Sequence, residues 1–374
     1  MKRLLILALL VLNTATLAQS PQWSERKANE WYQKQPWLVG ANYNPANAIN
    51  ELEMWQAETF DPQTIDKELG WAAGLGMNTM RVFLHDLLWQ QDPEGFKKRI
   101  DEFLKISQKH QIKPMLVLFD SVWDPFPQLG KQRDPKPGVH NSGWLQSPGA
   151  KALQDPSQYP RLEAYVKGVV GAFASDERIL AWDVWNEPDN TNGSSYGKLE
   201  PANKETLVLG LLPKVFEWAR AANPRQPLTC GVWRGDWSSA EKLTPMEKVQ
   251  LEMSDVISFH NYDGPQEFEK RLRWLLRYKR PLLCTEYMAR GNGSTFQGTM
   301  PIAKKYKVAA YNWGFVAGKT QTNLPWDSWQ KPYVGREPAV WFHEIFRPDG
   351  TPYREDEVRF IRGMTGKAAK KATG

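Results

Sequence analysis

Short apolar runs alternate with helix-period stretches along nearly the whole chain, and they do so eight times. The apolar runs are 37–43, 77–84, 113–119, 179–187, 226–233, 255–262, 281–287 and 307–314. Each has strand length and little polar alternation, the pattern of a parallel strand covered by helices. Helical periodicity falls between them over 61–75, 94–110, 161–173, 204–222, 245–253 and 266–278, with a closing helix expected at 338–346. Asp61-Pro62 opens the first of these with an N-cap and a proline at the first helical position. Eight strand–helix repeats without a gap predict a single-domain α/β fold, a (β/α)8 TIM barrel. An open doubly wound sheet would call for a glycine-rich phosphate turn after an early strand, and the chain has none.

The ends read differently from the body. Residues 1–18 carry a charged start, a short apolar core and small residues at Thr16 and Ala18, as a secretory signal peptide does. The catalytic domain is expected over 19–353, and 354–374 as a C-terminal tail, partly disordered. A secreted or periplasmic location follows as an expectation. The two cysteines, Cys230 and Cys284, fall on the fifth and seventh runs, which are not neighbours in a barrel, so buried free thiols are expected. The formal charge of +6 is carried largely by Lys2, Arg3, Lys367, Lys370 and Lys371 at the two ends. The body is close to neutral, which argues against a nucleic-acid partner. No membrane partner is expected, and a monomer is.

Barrels keep their chemistry at the C-terminal ends of the strands. The fourth run breaks into Asn186, Glu187 and Pro188, where proline blocks any continuation. The seventh ends at Glu286. Two strand-end glutamates are the smallest kit for hydrolysing a glycosidic bond. The other run ends supply Asn42, Arg81, Asp120, Trp233, His260, Tyr262 and Trp313. Hydrogen-bonding groups and aromatic faces of this kind suit a carbohydrate partner. Asp120 is a candidate for a sugar hydroxyl, with a structural role equally open. Asp183, by strand parity, should face the interior below the site as a buried hydrogen-bonder. The five histidines show no ligand spacing and the cysteines are sequestered, so no metal and no cofactor are expected.

Taken together, Asn186-Glu187-Pro188, Glu286, Arg81, the His260-x-Tyr262 pair and Trp313 resemble clan A of the glycoside hydrolases, most nearly family 5, the cellulase-type proteins often labelled 1,4-β-xylanases. Asn-Glu-Pro alone is moderately specific; the combination is strong, and it covers nearly the whole mature chain in element order. One departure is Phe119-Asp120-Ser121, where many family members carry a histidine, and it leaves the substrate open. The resemblance implies a retaining double displacement with Glu187 as acid/base and Glu286 as nucleophile. It further implies that Asn186 binds the 2-hydroxyl, Arg81 and Tyr262 orient Glu286 and keep it ionised, His260 positions the acid/base or the sugar, and Trp313 floors the subsite. The expected substrate is a β-linked poly- or oligosaccharide of plant cell-wall type. Tryptophan-bearing segments after the third and eighth runs (Trp123 to Trp144, Trp326 to Trp329) would wall off one side and favour short substrates or exo action. Two rivals stand beside this reading. A non-catalytic carbohydrate-binding barrel predicts loss of a carboxylate, and both are present. A transglycosylase would use the same two glutamates.

Overall fold

The computed structural model describes residues 22–367; the leader expected over 1–18 and the last residues of the tail lie outside the described residues. Eight parallel strands follow one another around a barrel: β1 Val39–Tyr43, β2 Thr79–Phe83, β3 Met115–Val117, β4 Ala181–Asp183, β5 Leu228–Thr229, β6 Ile257–His260, β7 Leu282–Tyr287 and β8 Ala309–Asn312. Hydrogen-bonded neighbours run β5-β4-β3-β2-β1-β8-β7-β6. A parallel bridge between Val232 and Phe259 brings β5 to β6 and completes the circle. The strands are shorter than the apolar runs because several runs continue towards the rim as single bonds rather than ladders. Leu118 N–H donates to Asp183 O at 2.8 Å and Asn186 N–H to Phe119 O at 2.8 Å.

Outward-facing residues such as Val39, Met80, Leu116, Trp182 and Ala310 pack beneath the surrounding helices in the main core. Inward-facing Met115, Ala181, Leu283, Ala309 and Tyr311 form a separate floor. That floor is sealed by a helix the sequence pattern did not show, Glu25–Gln33, which contributes Ala28 and Tyr32. Above it the interior turns polar: Thr79 and Tyr311 hydroxyls meet at 3.0 Å, as Thr229 and Ser258 do at 2.7 Å. Cys230 and Cys284 are buried free thiols.

Two helical expectations need correction. Residues 338–346 form no helix; the last helix is Glu355–Thr365, inside the stretch assigned to a frayed tail. Arg290 supplies the reason. Its guanidinium donates to the carbonyls of Trp341, His343 and Glu344 at 3.0, 2.6 and 2.7 Å. Those carbonyls are therefore held by a side chain and not by a helical backbone. Arg290 also forms a bidentate pair with Glu357, at 2.9 and 2.6 Å, which docks the last helix against the same loop. Val358 and Ile361 bury that helix's apolar face. A further helix, Phe296–Lys305, fills the β7–β8 connection; Pro301 inside it disguises its period.

Candidate active site

At the barrel mouth, β7 carries the decisive irregularity. Phe259 pairs with Cys284, but the next residue, His260, pairs with Glu286, so β7 holds one extra residue against β6. Cys284 packs in the outer core. Strict alternation would send Glu286 the same way as Cys284; the bulge turns it inward beside His260. On the opposite wall Glu187 sits four residues past β4 with φ +44. A left-handed backbone at a non-glycine residue costs about 1–3 kcal/mol and is a recurrent mark of functional positions.

These two irregularities bring the acids together. A carboxylate oxygen of Glu187, one of Glu286 and a ring nitrogen of His260 all lie within 4.8 Å of one another. His260 Nδ1 is 3.0 Å from Glu187 Oε1 and 3.4 Å from Glu286 Oε2. Asn190 Nδ2 donates to Glu187 Oε2 at 2.6 Å, and the Tyr262 hydroxyl donates to Glu286 Oε2 at 2.7 Å. Arg81 is the hub. It donates to Glu286 Oε1 and Asn42 Oδ1, both at 2.9 Å, to Asn186 Oδ1 at 2.8 Å, and to Asp183 Oδ2 at 3.0 and 2.8 Å.

Burial pushes the Glu187 carboxyl up to about 7, with Asn190 opposing. Burial raises Glu286 as well, and Arg81 and Tyr262 are among the groups that oppose it. His260 is held down to about 4 by burial, so at neutral pH its Nδ1 meets the two carboxyls as part of a neutral ring. The pair shares its protons, and Glu187, with no cation in contact, is the member better suited to keep one. The same three groups have a spacing that would suit a metal ion. The Arg81 guanidinium against Glu286 already supplies the positive charge there, and a dication would be repelled by it.

Of the residues singled out in the sequence, Arg81, Asn186, Glu187, His260, Tyr262 and Glu286 form one connected network. Asp183 is fully buried on Arg81, as strand parity implied. Asp120 requires correction as a sugar contact. Its oxygens accept from Val122 N–H at 2.9 Å, Asn186 Nδ2 at 2.9 Å and Trp144 Nε1 at 2.8 Å, and it is 1% exposed. It positions Asn186, whose amide keeps one N–H uncommitted. Trp313 is half-buried at the mouth, edge-on to Phe83 and Trp144 at 6.0 Å each. Among the loop tryptophans, Trp144 and Trp237 are buried, whereas Trp123 and Trp329 stack at 5.8 Å and Trp326 meets Tyr262 at 5.2 Å. Asn190 was not singled out, although it lies only three residues past Glu187.

The hub is also a stability element. Arg81→Met leaves Asp183 buried and unpaired, and breaking a buried pair from one side costs about 3–5 kcal/mol. Urea unfolding at neutral pH should show a loss of that size, and a change under about 1 kcal/mol would mean the network does not bear on folding.

A parallel eight-stranded barrel with two buried carboxylates close together at its mouth is an architecture that suits a glycoside hydrolase of the retaining type. The chain belongs to glycosyl hydrolase family 5, the cellulase family, whose model matches residues 39–332. No curated protein sequence matches it. Among solved structures it resembles a variant of GH5_18 from Streptomyces cattleya in complex with Manβ1-4GlcNAc, at 11% identity and TM-score 0.59, covering 88% of this chain and 80% of that one. It also resembles the exo-beta-1,4-mannosidase Op5Man5 from Opitutaceae bacterium strain TAV5, at 18% identity and TM-score 0.57, covering 88% and 60%. The endo-1,4-beta-mannanase from Rhizomucor miehei is similar at 13% identity and TM-score 0.57, covering 89% and 95%. At these identities the likeness is one of fold.

Proposed function

We propose that the protein is an exported enzyme that hydrolyses β-linked oligosaccharides by double displacement, with Glu187 as acid/base and Glu286 as nucleophile. The observation that carries this is the pairing itself. An oxygen of one carboxyl lies within 4.8 Å of an oxygen of the other, the close approach of retaining enzymes, whose carboxyls stand roughly 5–5.5 Å apart, and short of the roughly 6.5–9.5 Å that leaves room for water in inverting ones. Glu187, its carboxyl raised to about 7, holds the proton that the leaving oxygen needs. Glu286, gripped by Arg81 and Tyr262, has its lone pairs fixed for attack on the anomeric carbon. Water then attacks the same carbon from the side of Glu187, which takes a proton from it, and the bond between that carbon and Glu286 breaks. The uncommitted N–H of Asn186 is available to the 2-hydroxyl, where a contact strengthens as the transition state forms.

For the substrate, the names of the structural neighbours support placing β-mannosides first on a panel, alongside β-glucosides and β-xylosides of the plant cell-wall type. The stereochemical course tests the mechanism directly. Proton NMR of the first product released from an aryl β-glycoside should show the β anomer, which then mutarotates. An α anomer as the first product would overturn the double displacement.

A further inference from the structure

Beside Trp313, on the β1–β8 side of the mouth, lies a cavity of about 20 Å³, room for one water-sized group. Its wall includes Asn42, Asn141, Thr320, Thr322 and Glu344. Both side-chain polar atoms of Asn141 and Oε2 of Glu344, residues of that wall, are buried without a partner among the described residues. Asn141 is 0% and Glu344 1% exposed. Buried polar groups are ordinarily satisfied, so an amide with both ends free and a half-used carboxyl at one cavity are unusual. The other Glu344 oxygen is taken by the Thr322 hydroxyl, which fixes the carboxyl in place. Both residues also have left-handed backbones, Asn141 at φ +46 and Glu344 at φ +65. Glu187 shares that feature, and for glutamate it is a strained conformation that the surrounding structure must enforce.

The cavity belongs to the side of the sugar that is attacked. Asn42 in its wall and Glu286 accept from the same Arg81 nitrogen. Trp313 also lines the cavity, so a ring held on its face with its anomeric carbon at Glu286 would have Asn141 and Glu344 beside it. On the Trp313 side the segments after β3 and β8 are laced together. Asn141 N–H donates to Thr320 O at 2.8 Å, Tyr333 N–H to Gly138 O at 2.9 Å, and His140 N–H to Ser328 Oγ at 2.9 Å. Gly138 carries a consequence of this closeness: a Cβ there would stand 2.5 Å from the Tyr333 carbonyl carbon.

We infer that the cavity receives a single hydroxyl of the terminal, non-reducing sugar seated against Trp313, read by Asn141 and Glu344, and that the laced segments bar a second ring, so the enzyme removes one sugar at a time from chain ends. This rests on the hydrolase reading above. Burial raises the Glu344 carboxyl to about 7, so close to neutral pH it has a proton to donate to a hydroxyl as well as lone pairs to accept from one.

The test uses the full mature protein and the β-linked tetrasaccharide and aryl monoglycoside that it turns over fastest. Early in the reaction the tetrasaccharide should yield the single sugar and the trisaccharide only. Asn141→Ala and Glu344→Gln should each lower kcat/KM on both substrates by about 10–100-fold, mainly through KM. Each should also lose the wild type's preference for the parent aryl glycoside over its 4-deoxy and 6-deoxy analogues. Glu344→Gln keeps shape and covers the case in which Asn141→Ala does not fold. An early ladder of products would overturn the inference and leave the hydrolase reading intact. So would variants whose melting temperature moves while kcat/KM and the deoxy preference stay put, since the cavity would then hold structural water. No turnover by the wild type on any β-glycoside would sink both.

Discussion

Glu286→Ala is expected to lower turnover by about 10⁴-fold or more, roughly 5.5 kcal/mol in the barrier, in a protein that still folds. The size follows from what the residue does and from what remains without it. Loss of the carboxylate removes the covalent step, because the groups that touch it are poor nucleophiles. The Tyr262 hydroxyl is 2.7 Å from Glu286 Oε2, and burial keeps it protonated; His260 is 3.4 Å away, and burial holds it neutral with its Nδ1 committed to the two glutamates. Folding survives because Arg81 keeps Asp183, Asn42 and Asn186 as partners. The alanine also leaves a gap on the attacking side. Azide at high concentration should fill it and restore part of the turnover of an activated aryl β-glycoside, giving the α-glycosyl azide. Residual activity above about 1% of wild type, roughly 2.7 kcal/mol, or rescue giving the β-azide, would remove Glu286 from the nucleophile's role. A purely sugar-binding barrel predicts instead that the wild type and the variant are equally silent on every substrate.

The residues that carry this argument were readable as letters but not as directions. Glu286 stands out in the sequence because an apolar run ends there. Alternation from Cys284 points it out of the barrel, and only the extra residue of β7 against β6 turns it in. A bulge has no composition of its own when the residue concerned is an ordinary Thr285, so no pattern announces it. Asp120 shows the opposite case. Its place at the rim was legible, but rim position says nothing about which donors have already been claimed, and here Trp144 reaches back from the β3 segment to claim one. The closing helix was misplaced because the sequence of 338–346 is apolar enough to be core. What denies it a helix is Arg290, some fifty residues upstream, which occupies the carbonyls a helix would need. Asn141 and Glu344 lie in irregular segments with no period to read, and their convergence depends on lacing between the β3 and β8 segments. Local pattern found the barrel and the acids; contacts far apart in sequence decided what each side chain faces.

Glu187→Gln should separate the two halves of the reaction by their need for a proton. With a poor leaving group such as an alkyl glycoside or the natural sugar, loss of general acid catalysis is worth about 10²–10⁴-fold. With a 2,4-dinitrophenyl leaving group, which departs without protonation, formation of the glycosyl-enzyme should be nearly unchanged. Turnover should then be limited by the second step, which lacks its base. The wild-type pH profile on poor leaving groups should fall as pH rises through about 7, the range to which burial raises the carboxyl, and that alkaline limb should vanish in the variant. The same shift has a cost in stability, and its sign is fixed by linkage. The carboxyl's pKa is 4.5 when unperturbed and about 7 in the folded protein, so the folded state binds the proton more tightly than the unfolded one. Stability must therefore decline as pH rises from about 4.5 to about 7 and stay lower above it, by an amount on the order of 3 kcal/mol. Glutamine carries no charge to desolvate, so Glu187→Gln should be more stable than wild type at pH 8 and close to it at pH 4, measured by urea unfolding. The gain at pH 8 is the mark of a group kept for chemistry at the expense of folding. An equal stability difference at the two pH values would mean that the carboxyl is not held protonated by its burial, and the acid role would have to pass to another group.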